Sequence, residues 1–487
     1  MTIFDCPLPV GWKREPIAAN YRITKKPRTI TPTPAVLLPF VAMEKVPAGG
    51  QMTCGFELRT PDAIASGTYF EMGDILLSKI TPSFENGKQG LANGLPGTFG
   101  YGSTELIPLQ ACTDKAINPY LFYLLLHHEV RDSLTSKMEG STGRKRVPEG
   151  AVRELEVPVP PKLEQQKIAA VLWKIQRAIA TQDRLIAATR NLKQSTMQHL
   201  FTHGLRGEPL KDTAIGPMPE SWKVVALGDF GRIGNGSTPK KTTPEYWRSP
   251  TTPWLTSAKV HDGIIRSADQ FVSDAAVKEC HLPIVPAGSL LVAITGQGKT
   301  LGNSALVEFD TTISQHMAYV RFDHDGAVPG YVYQFMRSRY EELQSVGRAG
   351  GSTKAALTCA FLRDYRLPLP PTNEQRDIAA ALATIDRKLA LHQKKRAALN
   401  DLFQTTLHRL MTAQIRVADL DIDTSEVSNH FPDAGKMVLK SATTTGDQFV
   451  DANKMIDAKN PAMRRNQIAD VSKKVGSAKS RTADGDV

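Results

Sequence analysis

LEVPVPPKLEQQKIAAVLWKIQRAIATQDRLIAATRNLKQSTMQHLFTHGL fills residues 155–205, and YRLPLPPTNEQRDIAAALATIDRKLALHQKKRAALNDLFQTTLHRLMTAQI fills residues 365–415. At a constant offset of 210 the two stretches share 19 of 51 positions, with no gap. The same offset joins Pro9, Trp12 and Lys13 to Pro219, Trp222 and Lys223. The chain therefore reads as a domain-sized block followed by a long helical stretch, and then as the same order once more. A period of 210 is far too long for a solenoid. It describes a pseudo-dimer in one chain, which suits a target that is itself in two parts.

Between Pro161 and Gly204 there is neither proline nor glycine, and none from Asn373 to beyond Leu410. Each stretch predicts a helix of about 40 residues, roughly 60 Å long. Ile168, Leu172, Ile175, Ile179 and Ile186 recur at coiled-coil spacing, and Ile378, Leu382, Ile385 and Leu389 repeat the rhythm, with Leu399, Phe403, Leu407 and Leu410 further on. The simplest partner for each seam is the other, and Ala169–Ala170 and Ala379–Ala381 permit close approach. Such a pair is a rigid spacer between two domains; the plainer reading is a bundle with no role beyond packing.

The blocks cover residues 1–154 and 216–364. Short β-type runs between prolines and glycines predict α/β or mixed-sheet domains with many loops. In the first block a helix is expected over Asn118–Lys137, with Asn118 as cap and Pro119 in the first turn. Gly330–Glu342 is its counterpart in the second block. Residues 206–215 form a linker. From 416 to 487 the periodicity is lost and Asp, Ser, Thr, Asn and Lys dominate, as expected of a polar, disordered tail.

Lys plus Arg number 60 against 49 for Asp plus Glu, a net charge of +11, which favours a polyanionic partner. The five cysteines lie far apart and form no CxxC pair, so neither a disulfide scaffold nor a zinc site is indicated. A reducing cytoplasm fits them. No signal pattern opens the sequence and no window approaches 18 continuous apolar residues, so no membrane association is expected. AITGQGKT at Ala293–Thr300 resembles a relaxed phosphate loop. LGNSALVEFD follows it as a turn and a strand, where a nucleotide loop would open a helix. A basic, Gly-rich hairpin tip is the better reading. No metal-ligand spacing, nucleophile elbow or methyltransferase motif stands out, so no catalytic residue is assigned.

Basic residues flanked by Gly, Ser and Thr are the more persuasive signal. They are Lys79, Lys88, Arg144, Lys145 and Arg146 in the first block, and Lys240, Lys241, Lys259, Lys299, Arg348 and Lys354 in the second, with Gln297 at the hairpin tip. Such a set suits a cleft that grips a nucleic-acid backbone while variable loops read bases.

In this arrangement the chain resembles the specificity (S) subunit of type I restriction-modification systems. The resemblance covers about residues 7–415. It rests on Trp12–Lys13 and Trp222–Lys223, GDILLSKITPSFENGK at 73–88, GYGSTE at 100–105, GSTGRKR at 140–146 and NGSTPK at 235–240. PWLTSAKV at 253–260, ISQHMAYVR at 313–321 and the paired VPVPP…EQQKIA and LPLPP…EQRDIA segments complete it. It implies two target recognition domains, each reading half of a split, asymmetric DNA sequence. It also implies an antiparallel two-helix coiled coil that sets the gap, with internal pseudo-two-fold symmetry. The seam residues Ile168, Leu172, Ile175, Ile179, Ile378, Leu382, Ile385 and Leu389 would then serve spacing and subunit docking. The implied partners are double-stranded DNA, two modification (methyltransferase) subunits and restriction subunits. S-adenosylmethionine, ATP and Mg2+ are used by those partners, with no cofactor on this chain. One departure is visible: GST at 140–142 leads into RKR, whereas its twin at 351–353 leads into KAALT. The alternatives are a recognition partner for another modification enzyme, a nucleotide-dependent enzyme using Ala293–Thr300, and a protein-bridging scaffold that binds no DNA.

Overall fold

The computed structural model describes residues 2–425, apart from 31–35, 51, 65, 142, 297, 325 and 350–355. It forms two compact units. One runs to Thr181 and resumes at Arg396; the other is Gln182–Lys395. The long helices, Lys162–His203 and Thr372–Met411, are each divided between them.

In the first unit an antiparallel sheet has the strand order Tyr21–Ile23, Leu106–Ala111, Ile75–Ser78, Gln89–Leu91. Ile75 and Leu77 enter one core and Leu76 another, so this strand is buried on both faces and reads as a continuous apolar run. A second sheet orders Glu57–Arg59, Leu38–Val41, Phe99–Gly102 and Thr68–Glu71, with a parallel pairing of Phe40 with Tyr101. The second unit repeats the order of the first sheet, with Ile264–Ile265 added at its edge, and part of the second, as three strands. Gly231–Asn235, Met317–Phe322, Leu290–Ala293 and Ser304–Val307 lie in the same order. Thr252–Leu255 pairs in parallel with Thr312–Ile313.

Each block is tied to its helix in the same way. Lys13–Pro16 pairs with Glu156–Val159, and Lys223–Ala226 with Arg366–Leu369. Trp12 Nε1 donates to Glu164 at 2.9 Å, and Trp222 Nε1 to Glu374 at 3.3 Å. Tyr120 and Tyr331 donate to Pro158 and Pro368 carbonyls at 2.8 and 2.9 Å. The Glu-Gln pair shared by the two helices is thus a joint between block and helix. Arg416 pairs with Glu164 at 2.6 Å and Arg206 with Glu374 at 3.4 Å, which carries the repeat one residue past Ile415.

Within each unit the helices run antiparallel. In the first, Glu164 meets Arg416, while Tyr123 touches both Gln176 and Phe403. In the second, Lys193 meets Asp386 and Gln182 meets His392. Ile168 and Leu172 share a core with Phe403, Leu407, Leu410 and Met411. Ile378 and Leu382 share theirs with Met197, Leu200 and Phe201. Ile175, Ile179 and Ile385 pack on these cores half-buried. Each seam therefore packs against the far end of the other helix, an antiparallel pairing of the two helices within each unit. The first helix ends at Gly204, in a left-handed conformation (φ +65°) where a Cβ would strike Glu374 and Trp222.

Two expectations change. The helix expected over Asn118–Lys137 is two helices, Asn118–Leu124 and His128–Ser136. Its counterpart is also broken, into Pro329–Ser338 and Tyr340–Ala349. In the first break the buried Arg131 guanidinium donates to the Leu125 carbonyl at 2.9 Å, to Gln89 Oε1 at 2.6 Å and to the Phe84 carbonyl. Hydrophobic spacing carries no trace of such an insertion. The stretch from 416, expected as tail, starts packed: Val417 is 3% exposed in the first core, and Lys167 donates to the Ala418 carbonyl. The rest of that expectation, from 426, lies outside the described residues.

Two buried groups of the first unit give opposite pH slopes. His127, against His128 and His408, is pushed down to about 3 by burial first and by those two histidines next. Asp74 is pushed up to about 7, chiefly by burial. Between roughly pH 4 and 6.5 the unfolded chain takes the His127 proton that the fold refuses, so stability falls on acidification. In the same window the fold keeps a proton on Asp74 that the unfolded chain releases, so stability falls as pH rises. Each contributes about 3 kcal/mol across the window, and together they nearly cancel. His127→Gln should leave a first unit that loses stability as pH rises from 4 to 6.5, and Asp74→Asn one that gains it. Urea unfolding at the two pH values measures both; parallel curves for the two variants would contradict the assignment.

Candidate nucleic-acid interface

In the first unit, strand Ile75–Ser78 runs out into a loop over 79–88, and a second loop over 138–147 lies beside it. Thr81 N donates to the Lys145 carbonyl at 3.0 Å and Val147 N to the Lys79 carbonyl at 2.8 Å. Lys79 N also donates to the Glu105 carbonyl at 2.9 Å. Lys79, Glu105 and Arg144–Arg146, remote in sequence, are thereby brought together. Arg144 and Lys145 are exposed. Arg146 is held by Glu105 through two charged hydrogen bonds, Nε to Oε2 at 2.9 Å and Nη2 to Oε1 at 2.6 Å. The Arg146 bond holds the Glu105 carboxyl below its ordinary range, against a smaller opposing effect of burial. Lys88 sits at the base of the loop with Nζ on the Met43 carbonyl at 2.9 Å.

The second unit places its loop, over 294–303, in the same position. Leu357 N donates to the Ile294 carbonyl at 2.7 Å, as Val147 does to Lys79. A strand, Ser304–Val307, follows the Ala293–Thr300 motif. Lys299 is exposed, and the backbone around it is braced from one helix. Tyr340 OH donates to the Lys299 carbonyl at 2.8 Å, and Gln344 and Arg348 donate to the Gly298 carbonyl at 2.9 and 3.2 Å. Arg348 thus braces the loop. Lys240 and Lys241 are exposed on the segment after Gly231–Asn235. That segment reaches the loop base through Gln315 N to Thr238 Oγ1 and through the contact of Thr295 with His316. Lys259 is pinned between Asp262 at 2.9 Å and Asp269 at 3.1 Å, and these carboxylates raise its pKa. Gln297 and Lys354 lie outside the described residues.

The arrangement therefore sorts the sequence-derived cations. Arg144, Lys145, Lys240, Lys241 and Lys299 are exposed; Lys79 is half-buried beside Glu105. The charges of Arg146, Lys88, Lys259 and Arg348 are committed to protein acceptors. Glu105, Arg131, Tyr340 and Gln344 were not singled out from sequence. Glu105 closes the GYGSTE segment, so its position was legible although its role was not.

Among the described residues no group of three or more His, Cys, Asp or Glu side chains could hold a metal ion. No described helix is long and apolar enough to cross a membrane. The chain belongs to the type I restriction modification DNA specificity domain family, which matches residues 65–189 and 219–401. This is the family of the non-catalytic specificity component. The specificity subunit of the Escherichia coli type I restriction enzyme EcoR124I/EcoR124II is 24% identical over 319 residues, spanning 62% of this chain and 75% of that protein. The solved type I restriction-modification S subunit from M. genitalium shares the fold at a TM-score of 0.54 and 15% identity, covering 84% of this chain and 99% of that one. A chain from a structure of type I R-M complex assembly and conformational transition gives a TM-score of 0.52 at 20% identity, covering 84% and 100%.

Proposed function

We propose that each block reads one half of a split, asymmetric double-stranded DNA site, and that the paired helices fix the gap between the halves. The observation that carries this reading is the repetition within each unit. The same four-strand order, the same Trp–Glu joint and a loop held at the same point occur twice, while that loop differs in sequence: KITPSFENGK at 79–88 in one, ITGQGKTLGN at 294–303 in the other. One scaffold with two dissimilar basic surfaces is what a bipartite asymmetric target requires. Arg144, Lys145, Lys240, Lys241 and Lys299 would touch phosphate or bases. Lys79, Lys88, Arg146, Lys259 and Arg348 would shape or brace the surface. Gln297 and Lys354 remain candidate contacts from sequence.

In this reading the units are related by a pseudo-two-fold repeat, and the chain scaffolds two methyltransferase subunits and restriction subunits in the cytoplasm. Those partners would supply S-adenosylmethionine, ATP and Mg2+ chemistry, and this chain none. Co-expression with a cognate methyltransferase subunit, followed by genome-wide mapping of methylated adenines by single-molecule sequencing, tests it. The expected result is one split, asymmetric motif with a fixed gap, and Lys299→Ala should weaken methylation through one half-site only. A continuous motif, or none from a complex that forms, would refute the bipartite reading.

A further inference from the structure

The second unit contains a cavity of about 800 Å³ that the DNA reading leaves unused. Four cations line it, Arg190, Lys193, Arg337 and Arg339, against two acids, Glu341 and Asp386. Asp386 is already engaged: its carboxylate takes Lys193 Nζ at 2.6 Å and Gln334 Nε2 at 2.8 Å. Burial lowers the Lys193 pKa and the Asp386 bond opposes it. Arg337 donates to Tyr333 OH at 2.9 Å, and Arg339 lies over the Phe335 ring, 3.9 Å from Glu342. The exposed Arg190 guanidinium has no ion pair among the described residues. The wall also includes Tyr340 and Glu341 at the start of helix Tyr340–Ala349, and apolar Met197, Phe201 and Met218.

The fold does not demand these charges. In the first unit the corresponding positions, at offset 210 in the long helices and at the offset of 211 that aligns Tyr120 with Tyr331, are Asn400 for Arg190, Phe403 for Lys193, Leu126 for Arg337, His128 for Arg339 and Gln176 for Asp386. There Phe403 is a core residue. The same helix pairing is thus built once with a largely neutral seam and once around a cationic cavity.

We propose that the cavity binds a phosphorylated small molecule of nucleotide size. Its phosphates would meet Arg190, Arg337 and Arg339, and its remaining surface would lie against Met197, Phe201 and Met218. The volume falls within the range of about 300–1,000 Å³ usual for small-molecule sites, whereas a nucleic-acid backbone calls for a row of cations on an open surface. Tyr340 connects the site to the loop, since it lines the cavity and its hydroxyl donates to the Lys299 carbonyl. Occupancy would therefore shift duplex binding; this second part rests on the DNA role proposed above.

Isothermal titration of the full chain with inorganic pyrophosphate and with a nucleoside triphosphate, at constant ionic strength and without DNA, tests the site. The expected result is saturable one-site binding, tighter for the triphosphate. Arg190→Gln and Arg337→Gln should weaken it about tenfold, and Lys278→Gln, which removes an exposed charge elsewhere, should leave it unchanged. Melting curves check that the variants fold, and Arg190→Gln, which breaks no bond, keeps the test valid if Arg337→Gln does not. No saturable binding up to millimolar ligand, or equal affinity in Arg190→Gln, overturns the site. A triphosphate no tighter than pyrophosphate overturns the nucleotide-size assignment. The coupling is read separately, as a change in duplex affinity on adding ligand to the wild-type chain and not to Arg190→Gln; no change overturns the coupling. Loss of the DNA reading would leave the titration result standing.

Discussion

Replacing Arg131 by methionine should lower the stability of the first unit by about 3–5 kcal/mol and weaken duplex binding with it. The guanidinium is 7% exposed, and burial pushes its pKa down to about 10. It nevertheless remains charged at neutral pH, because Gln89 Oε1 and the carbonyls of Phe84 and Leu125 surround it. Methionine fills similar space and donates nothing, so three acceptors are left buried without a partner. One of them, Phe84, lies in the loop between Lys79 and Lys88, so the same change frees the proposed DNA-contacting surface. Hydrogen exchange resolved by peptide should show lost protection over 79–91 and 118–136, with the second unit unchanged. Lysine, with one ammonium in place of a planar fork, should recover only part of the loss. Unaltered exchange over 79–91 in Arg131→Met would show that the buried charge does not hold the loop.

Replacing Glu164 by alanine should remove about 2–4 kcal/mol from the first unit. Its carboxylate, 3% exposed, accepts from Trp12 Nε1 at 2.9 Å and from Arg416 at 2.6 and 2.9 Å. Burial alone would raise its pKa; Arg416 and Trp12 outweigh that and the carboxyl titrates below its ordinary range. Alanine therefore strands a buried indole N–H and releases the chain around Arg416–Ala418. Glu374→Ala does the matching damage in the second unit, where Trp222 Nε1, Leu205 N and Arg206 lose their acceptor. Exchange should rise over 412–420 in the first variant and over 204–208 in the second. The losses should add within about 0.5 kcal/mol in the double variant, since the two carboxylates share no partner. A penalty in only one unit would mean that the two joints, alike in sequence, differ in energy.

Much of this was legible in the sequence because the repeat is itself structural information. Glu164-Gln165 and Glu374-Gln375 are identical because each Gln also satisfies backbone groups on both sides of it. Gln165 donates to the carbonyls of Pro160 and Lys115 at 2.8 Å each, and Gln375 to those of Pro370 and Gly326 at 2.8 Å each. The long helices followed from an absence, two stretches without proline or glycine. Three features were hidden for physical reasons. The break at Leu125–His127 is made by a side chain from the next turn, and apolar periodicity carries no record of it. The register of the antiparallel pair depends on contacts between residues such as Lys193 with Asp386 and Glu164 with Arg416, 193 and 252 positions apart, which coiled-coil spacing alone does not set. At the interface, composition marks a lysine or arginine as basic but cannot say whether a carboxylate waits beside it: Lys145 stays exposed, while its neighbour Arg146 is clasped by Glu105.

The division of the long helices has a consequence for the order of events during synthesis. The second unit is one continuous stretch, Gln182–Lys395, and has all its parts once that stretch has left the ribosome. The first unit has a gap in its middle. Its core needs Phe403, Leu407, Leu410, Met411 and Val417, which are made last among the described core residues. At elongation rates of about 5–20 residues per second, the span from Thr181 to Val417 imposes a wait of roughly 10 to 50 seconds. The block translated first is thus the one completed last, and until then it exposes the apolar faces of Ile168 and Leu172 beside its own unfinished core. A nascent chain released from the ribosome only as far as Lys395 would carry one finished unit and one held open.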